Sequence, residues 1–212
     1  MSWSFGEAKA LSVKAAKGAG FNWGVAEEVG AIVEWLHASD APGVAALVHH
    51  LQWRASNLSH LTHVSEFFKC DADPSTIYCP IALGCAIQDH GPEALSLLSH
   101  ARIRQPLLLI PFLAKASDQE LVISWDQCRV TADSQAMSFD DSAVLLSDEA
   151  QCTISKDTAP SLLLKDPTFN TRVPSSDHEC MEALKVYAGK TYAPATEASR
   201  LAGAGAGLTD ND

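Results

Sequence analysis

The sequence lacks any apolar run approaching the roughly 18 residues that span a bilayer. Its longest such run, Leu107 to Ala114, has the length of a strand. A membrane-spanning helix is therefore not expected. Charge is sparse at 19%, and 15 scattered Lys and Arg residues face 26 Asp and Glu, for a net charge of −11. With no basic cluster, the chain repels nucleic acid and anionic membrane surfaces on average. The opening Met1-Ser2-Trp3-Ser4-Phe5-Gly6-Glu7 has no basic segment leading into an apolar one. No signal peptide is read there, and a cytoplasmic location is expected. Also missing are H-E-x-x-H, the G-x-S-x-G elbow and a phosphate-loop lysine, which leaves zincin, elbow-type hydrolase and P-loop chemistry without support. No two cysteines stand at the roughly two-to-four spacing of structural zinc pairs.

Six cysteines are present: Cys70, Cys79, Cys85, Cys128, Cys152 and Cys180. A chain that is 47% hydrophobic can build a core without disulfides, so these are read as buried thiols in a reducing compartment. Neither a metal nor a cofactor is expected from the motifs.

Local signals define the elements that are there. Ser4 and Glu7 have the spacing of a capping box, predicting a helix to about Lys17 with Ala8, Leu11 and Ala15 on one side and Gly18 as its left-handed stop. Asn22 caps a second helix carrying the stripe Val25, Val29, Ile32, Val33 and Leu36. Pro42 suits the first position of a third, with Val44, Leu47, Val48 and Leu51 on one face. A further helix is expected near His60 to Phe68. Leu107 to Leu113 reads as a buried strand with Pro111 at an edge or bulge. Leu121 to Trp125 and Cys128 to Ala132 flank Asp126-Gln127 as a hairpin. Short strands are expected at Ala143 to Leu146, Gln151 to Ser155 and Ser161 to Leu164. Ser176 and Glu179 suggest a second capping box, opening a helix that Gly189 ends. Another short helix is expected from Pro194.

The order is helices, strands, helices, which predicts an α+β fold rather than an alternating one. It comprises an N-terminal helical cluster, a central mostly antiparallel sheet and C-terminal helices. The expected organisation is one domain over 1–202 (helical 1–70, strand-rich 105–165, helical 175–202) and a flexible Gly/Ala-rich tail over 203–212.

Candidate chemistry is thin. Cys79, before Pro80, has His90 nearby in sequence and is the candidate thiolate of a Cys–His pair. His60 and His63 lie three apart, whereas the adjacent His49 and His50 cannot share a helical face. Trp23, Trp35, Trp53 and Trp125 are candidates for an aromatic platform. Gly203, Gly205 and Gly207 lack the preceding strand and following helix of a dinucleotide site. Glu197, Arg200 and Asp210 around those glycines make the tail a candidate to fold over a site.

Two passages carry a resemblance. One is Glu7-Ala8-Lys9-Ala10 through Lys17-Gly18-Ala19-Gly20 and Trp23-Gly24-x-Ala26-Glu27-Glu28. The other is Thr191-Tyr192-Ala193-Pro194-Ala195-Thr196-Glu197-Ala198-Ser199-Arg200 into Gly203-Ala204-Gly205-Ala206-Gly207 and Asp210-Asn211-Asp212. With Cys79-Pro80 they resemble a bacterial family known only as a domain of unknown function. That resemblance spans most of the chain, implies a bacterial cytosolic protein and carries no activity. Ala19-Gly20-Phe21, Ala26-Glu27-Glu28 and Asp40-x-x-Gly43 are also similar to the helical start of the malate/L-lactate dehydrogenases outside the usual Rossmann group. That family's Ser-His-Gly is replaced here by Val44-Ala45-Ala46, and the chain is much shorter than those enzymes.

The leading functional expectation is a small-molecule metabolic enzyme or its accessory subunit. A non-catalytic binding or assembly module, working with a protein partner or a second copy, is the alternative. A nicotinamide-dependent dehydrogenase fragment comes third.

Overall fold

The computed structural model describes residues 3–68, 76–141, 145–155 and 171–191. Helix α1 spans Phe5–Gly18 and begins where Ser4 lies in extended backbone. The Glu7 amide donates to Ser4 Oγ at 3.2 Å and the Ser4 amide donates to Glu7 Oε2 at 2.8 Å, so the predicted capping box forms. Ala8, Ser12, Ala15 and Ala16 make its buried face, and their small side chains let neighbouring helices approach closely. A Cβ on Gly18 would sit 1.9 Å from the Tyr187 carbonyl oxygen. Gly18 is therefore needed for a helix contact, and the positive φ of 96° falls two residues later, at Gly20.

Helix α2 (Trp23–Ala38) starts as expected, with Asn22 Oδ1 accepting from the Val25 amide at 2.8 Å. Val29, Ile32, Val33 and Leu36 are fully buried. Helix α3 spans Gly43–Asn57, and Pro42 is its cap residue rather than its first turn. A proline cap offers no acceptor side chain. The role passes to His37 of α2, whose Nε2 accepts from the Val44 amide at 3.2 Å. The helix expected near His60 to Phe68 is instead two 3₁₀ turns, Leu58–His60 and Val64–Glu66.

Strand β1 (Ile77–Tyr78) leads into helix α4 (Pro80–His90), a 3₁₀ stretch (Pro92–His100) and strand β2 (Arg102–Arg104). The expected strand at Leu107 to Leu113 is instead a 3₁₀ turn, Pro106–Leu109, running into helix α5 (Ile110–Ala116). Two prolines explain this. Pro106 and Pro111 occupy first-turn positions, where a missing N–H costs nothing. The run is apolar on all sides because it is buried on all sides: Leu107 through Ile110, Phe112, Leu113 and Ala114 are fully buried.

Strands β3 (Leu121–Trp125) and β4 (Cys128–Ala132) form the predicted hairpin, pairing Leu121 with Ala132 and Trp125 with Cys128. Asp126 turns it at φ 47°. Strands β5 (Met137–Phe139) and β7 (Thr153–Ser155) complete an antiparallel sheet of order β5-β4-β3-β7. Strand β6 (Glu149–Gln151) joins a second sheet, β1-β2-β6, in which β1 and β2 run parallel and β2 and β6 antiparallel. The α+β reading with mostly antiparallel pairing thus holds.

Leu145 and Leu146 lie outside any strand. Residues 143–144, Ser161 to Leu164, Cys70 and the segment 192–212 lie outside the described residues. Helix α6 (His178–Gly189) ends at Gly189 as read, but the second capping box does not form. The chain enters α6 through a 3₁₀ turn, Ser175–Asp177, so the cap residue is Asp177 in non-extended backbone. Ser176 Oγ donates to its neighbour Asp177 Oδ1 instead. One contiguous apolar core runs from Ala8 to Leu184. No described helix is long and apolar enough to cross a membrane.

Candidate functional site

The parallel pair β1–β2 sets Ile77 against Arg102 and Tyr78 against Ile103. The residues that follow, Cys79 on one strand and Arg104 and Gln105 on the other, therefore emerge together at the strands' carboxyl ends. In open α/β sheets ligands bind beyond the carboxyl ends of the parallel strands, and this short parallel pair presents an edge of the same kind.

Cys79 is the cap residue of α4, only 5% exposed. Across from it stands His50 of α3, fully buried, its Nε2 3.3 Å from Cys79 Sγ. Burial pushes the Cys79 thiol up, against the opposing pull of the Ile81 and Ala82 amides and of the Arg54 charge. Burial first, then Arg54 and Arg104, push His50 down to about 3. At neutral pH the pair is thus a neutral thiol beside a neutral imidazole.

Two arginines frame the pair. Arg54 lies one helical turn beyond His50; it donates to the Ala19 carbonyl at 2.7 Å and stacks 4.4 Å from the Phe21 ring centre. Arg104 stands 4.9 Å from the Trp53 ring centre and donates to Asp148 Oδ1 at 2.9 Å. Gln105 Nε2 reaches the same oxygen at 3.4 Å, and the Gln105 amide donates to the Asp148 carbonyl at 2.9 Å. Asp148 is exposed, so this cluster leads from the surface toward the interior. His50 Nδ1, Tyr78 Oη, Arg104 Nε and Gln105 Oε1 are buried and find no hydrogen-bond partner among the described residues. Buried polar atoms are nearly always paired; four of the nine unpaired ones among the described residues lie on this strand pair and the helix beside it, which makes it the candidate site.

Cys79 and His90 are not brought together. They stand at opposite ends of α4, and His90 is exposed, stacked 3.9 Å from Phe68 with Nδ1 2.9 Å from the Ala86 carbonyl. Glu197, Arg200 and Asp210 lie outside the described residues. His60 and His63 are exposed on separate turns. Among the described residues no three of His, Cys, Asp and Glu are placed to hold a metal ion. The other described cysteines are free thiols raised by burial: Cys85 and Cys128 to about 11, Cys152 to about 12, and Cys180 upward. The tryptophans form no common platform. Trp125 is core, Trp23 is exposed beneath Lys17, and only Trp53 borders the site.

His50, Arg54, Arg104 and Gln105 escaped the sequence reading. A signal existed for His50: three residues after Leu47 it falls on the apolar face of α3, while His49 faces solvent.

No curated protein and no solved structure gives a significant match to the chain. Residues 3–86, from the lead into α1 as far as the middle of α4, do match the model of a family described as a protein of unknown function (DUF3726). Over this stretch, which takes in His50, Arg54 and Cys79, the chain is similar to an uncharacterised family.

Proposed function

We propose that this chain is a small-molecule enzyme, alone or as a subunit of a larger one, that transfers an acyl group to water through Cys79. The observation that carries the reading is the 3.3 Å contact between Cys79 Sγ and His50 Nε2 at the start of α4. A thiol becomes a strong nucleophile when a neighbouring base takes its proton as it attacks. His50 Nε2 is that base. Sulfur forms a bond to the substrate carbonyl carbon, the bond to the leaving group breaks, and the leaving group departs with the proton held on Nε2. Water, deprotonated by His50, then attacks the thioester and releases the acid and the restored thiol. Burial raises the Cys79 thiol, and the Ala82 and Ile81 amides and the Arg54 charge offset part of that cost when negative charge develops on sulfur. Burial first, then Arg54 and Arg104, disfavour an imidazolium at His50, so the proton is held briefly and passed on.

The test incubates the full chain at neutral pH with short-chain thioesters and p-nitrophenyl esters and reads acylated peptides by mass spectrometry. Acylation is expected at Cys79, to be abolished in Cys79→Ala and slowed by about 10²- to 10⁴-fold in His50→Gln, with circular dichroism confirming both folds. Acyl groups spread over Cys85, Cys128 and Cys180, or acylation of Cys79 unaltered in His50→Gln, would refute it. The chain would then be a binding or assembly module.

A further inference from the structure

Gln105 combines three features that structural service alone does not explain. It is 1% exposed, it holds a left-handed backbone (φ 51°, ψ 68°) unusual for a residue with a long side chain, and its Oε1 has no partner among the described residues. Strained, buried, unpaired residues concentrate where ligands bind. Its amide orientation is fixed by chemistry. Asp148 Oδ1 can only accept, so the nitrogen must face Asp148 and the oxygen must face away.

Arg104 meets the same Asp148 oxygen through Nη2, which leaves its Nε, also buried, without an acceptor. Both side chains bond the same Asp148 oxygen, and each keeps one buried atom, a donor on Arg104 and an acceptor on Gln105, with no partner among the described residues. The ligand group that fits offers the converse, an acceptor beside a donor. A carboxylate does not fit. It would satisfy Arg104 Nε but set its second oxygen against Gln105 Oε1, and Asp148 already neutralises the Arg104 charge.

We propose that Arg104 and Gln105 form a recognition edge for a neutral amide group of the ligand (a carboxamide, lactam or ureide). Its carbonyl accepts from Arg104 Nε and its N–H donates to Gln105 Oε1. This deepens the acyl-transfer reading in one respect only, that the amide-bearing ligand is taken to be the substrate presented to Cys79.

The experiment measures ligand-observed saturation-transfer NMR on the full chain with propionamide, 2-pyrrolidinone and propionate. Both amides bind and propionate binds more weakly by roughly tenfold or more, the cost of leaving a buried polar atom unsatisfied. Gln105→Leu removes the acceptor, and Arg104→Lys keeps the charge but removes Nε; each weakens the amides by a similar factor with unfolding midpoints monitored alongside. Propionate binding as well as propionamide, no transfer from either amide up to its solubility limit, or undiminished amide binding in a folded Gln105→Leu would overturn the proposal. Amide binding without acylation of Cys79 defeats the acyl-transfer reading alone; acylation without amide preference defeats this one alone.

Discussion

Acid should destabilise this protein well above the range where carboxylates titrate, because two histidines are buried in the neutral form. Burial holds His37 down to about 4, from an ordinary 6.5. His37 Nε2 must also stay unprotonated to accept from the Val44 amide at the start of α3. His50 is held down to about 3. The unfolded chain takes up a proton on each near 6.5, and the folded chain refuses both. Stability is therefore present above about pH 6.5 and is lost as pH falls toward the folded values. Each refused proton costs about 1.4 kcal/mol per pH unit, so by about pH 5 each histidine has removed about 2 kcal/mol and the pair about 4. Asp177, a carboxyl raised by burial, works in the opposite sense at lower pH. Glu7 and Glu182 are held low by partners and lose their contribution only below the ordinary carboxylate range. The window from about pH 6.5 to 5 thus belongs to the histidines. Urea melts at intervals from about pH 8 to 5 should show midpoints flat above 6.5 and a fall below it approaching two protons' slope. His37→Gln and His50→Gln should each halve that slope. A midpoint independent of pH across the window, or slopes unchanged in both variants, would refute the buried-neutral argument.

Two further perturbations test the packing and the caps. Gly18→Ala sets a Cβ against the Tyr187 carbonyl and Gly84→Ala sets one 2.2 Å from Phe112 Cδ2. Each should lower stability by about 1–3 kcal/mol in urea melts, Gly18→Ala more, and Phe112→Leu should partly rescue only Gly84→Ala. Ser4→Ala should cost about 1 kcal/mol and move the Glu7 titration only partway upward in NMR, because the Ser4 amide, the larger of the two bonds that hold Glu7 low, is kept while the hydroxyl is lost.

Where a structural signal was local, it was legible. Ser4, Asn22 and the Asp126-Gln127 turn act on backbone groups a few residues away, so their spacing alone places α1, α2 and the β3–β4 hairpin. Leu107 to Leu113 misled because an apolar run buried all round has no periodicity to read; the decisive cue was Pro106 and Pro111 in first-turn positions. Ser176 and Glu179 had the right spacing, but a capping box also needs an extended cap residue, and the 3₁₀ turn after Pro174 removes it. Cys79 was legible as a candidate through its place before Pro80. Its partner was not, because His50 lies 29 residues away and meets it only in the folded chain. Arg104 and Gln105 gain meaning only from the register of β1 against β2, which no spacing in the sequence encodes.

The join between the sheets has a mechanical consequence. Only Cys152, fully buried, separates β6 in one sheet from β7 in the other. A link this short has no slack. Peeling β7 from β3 pulls directly on β6, and through it on β2, which carries Arg104. The hairpin sheet and the sheet bearing the candidate site are therefore yoked, and local opening of one is felt as tension in the other rather than absorbed by a loop.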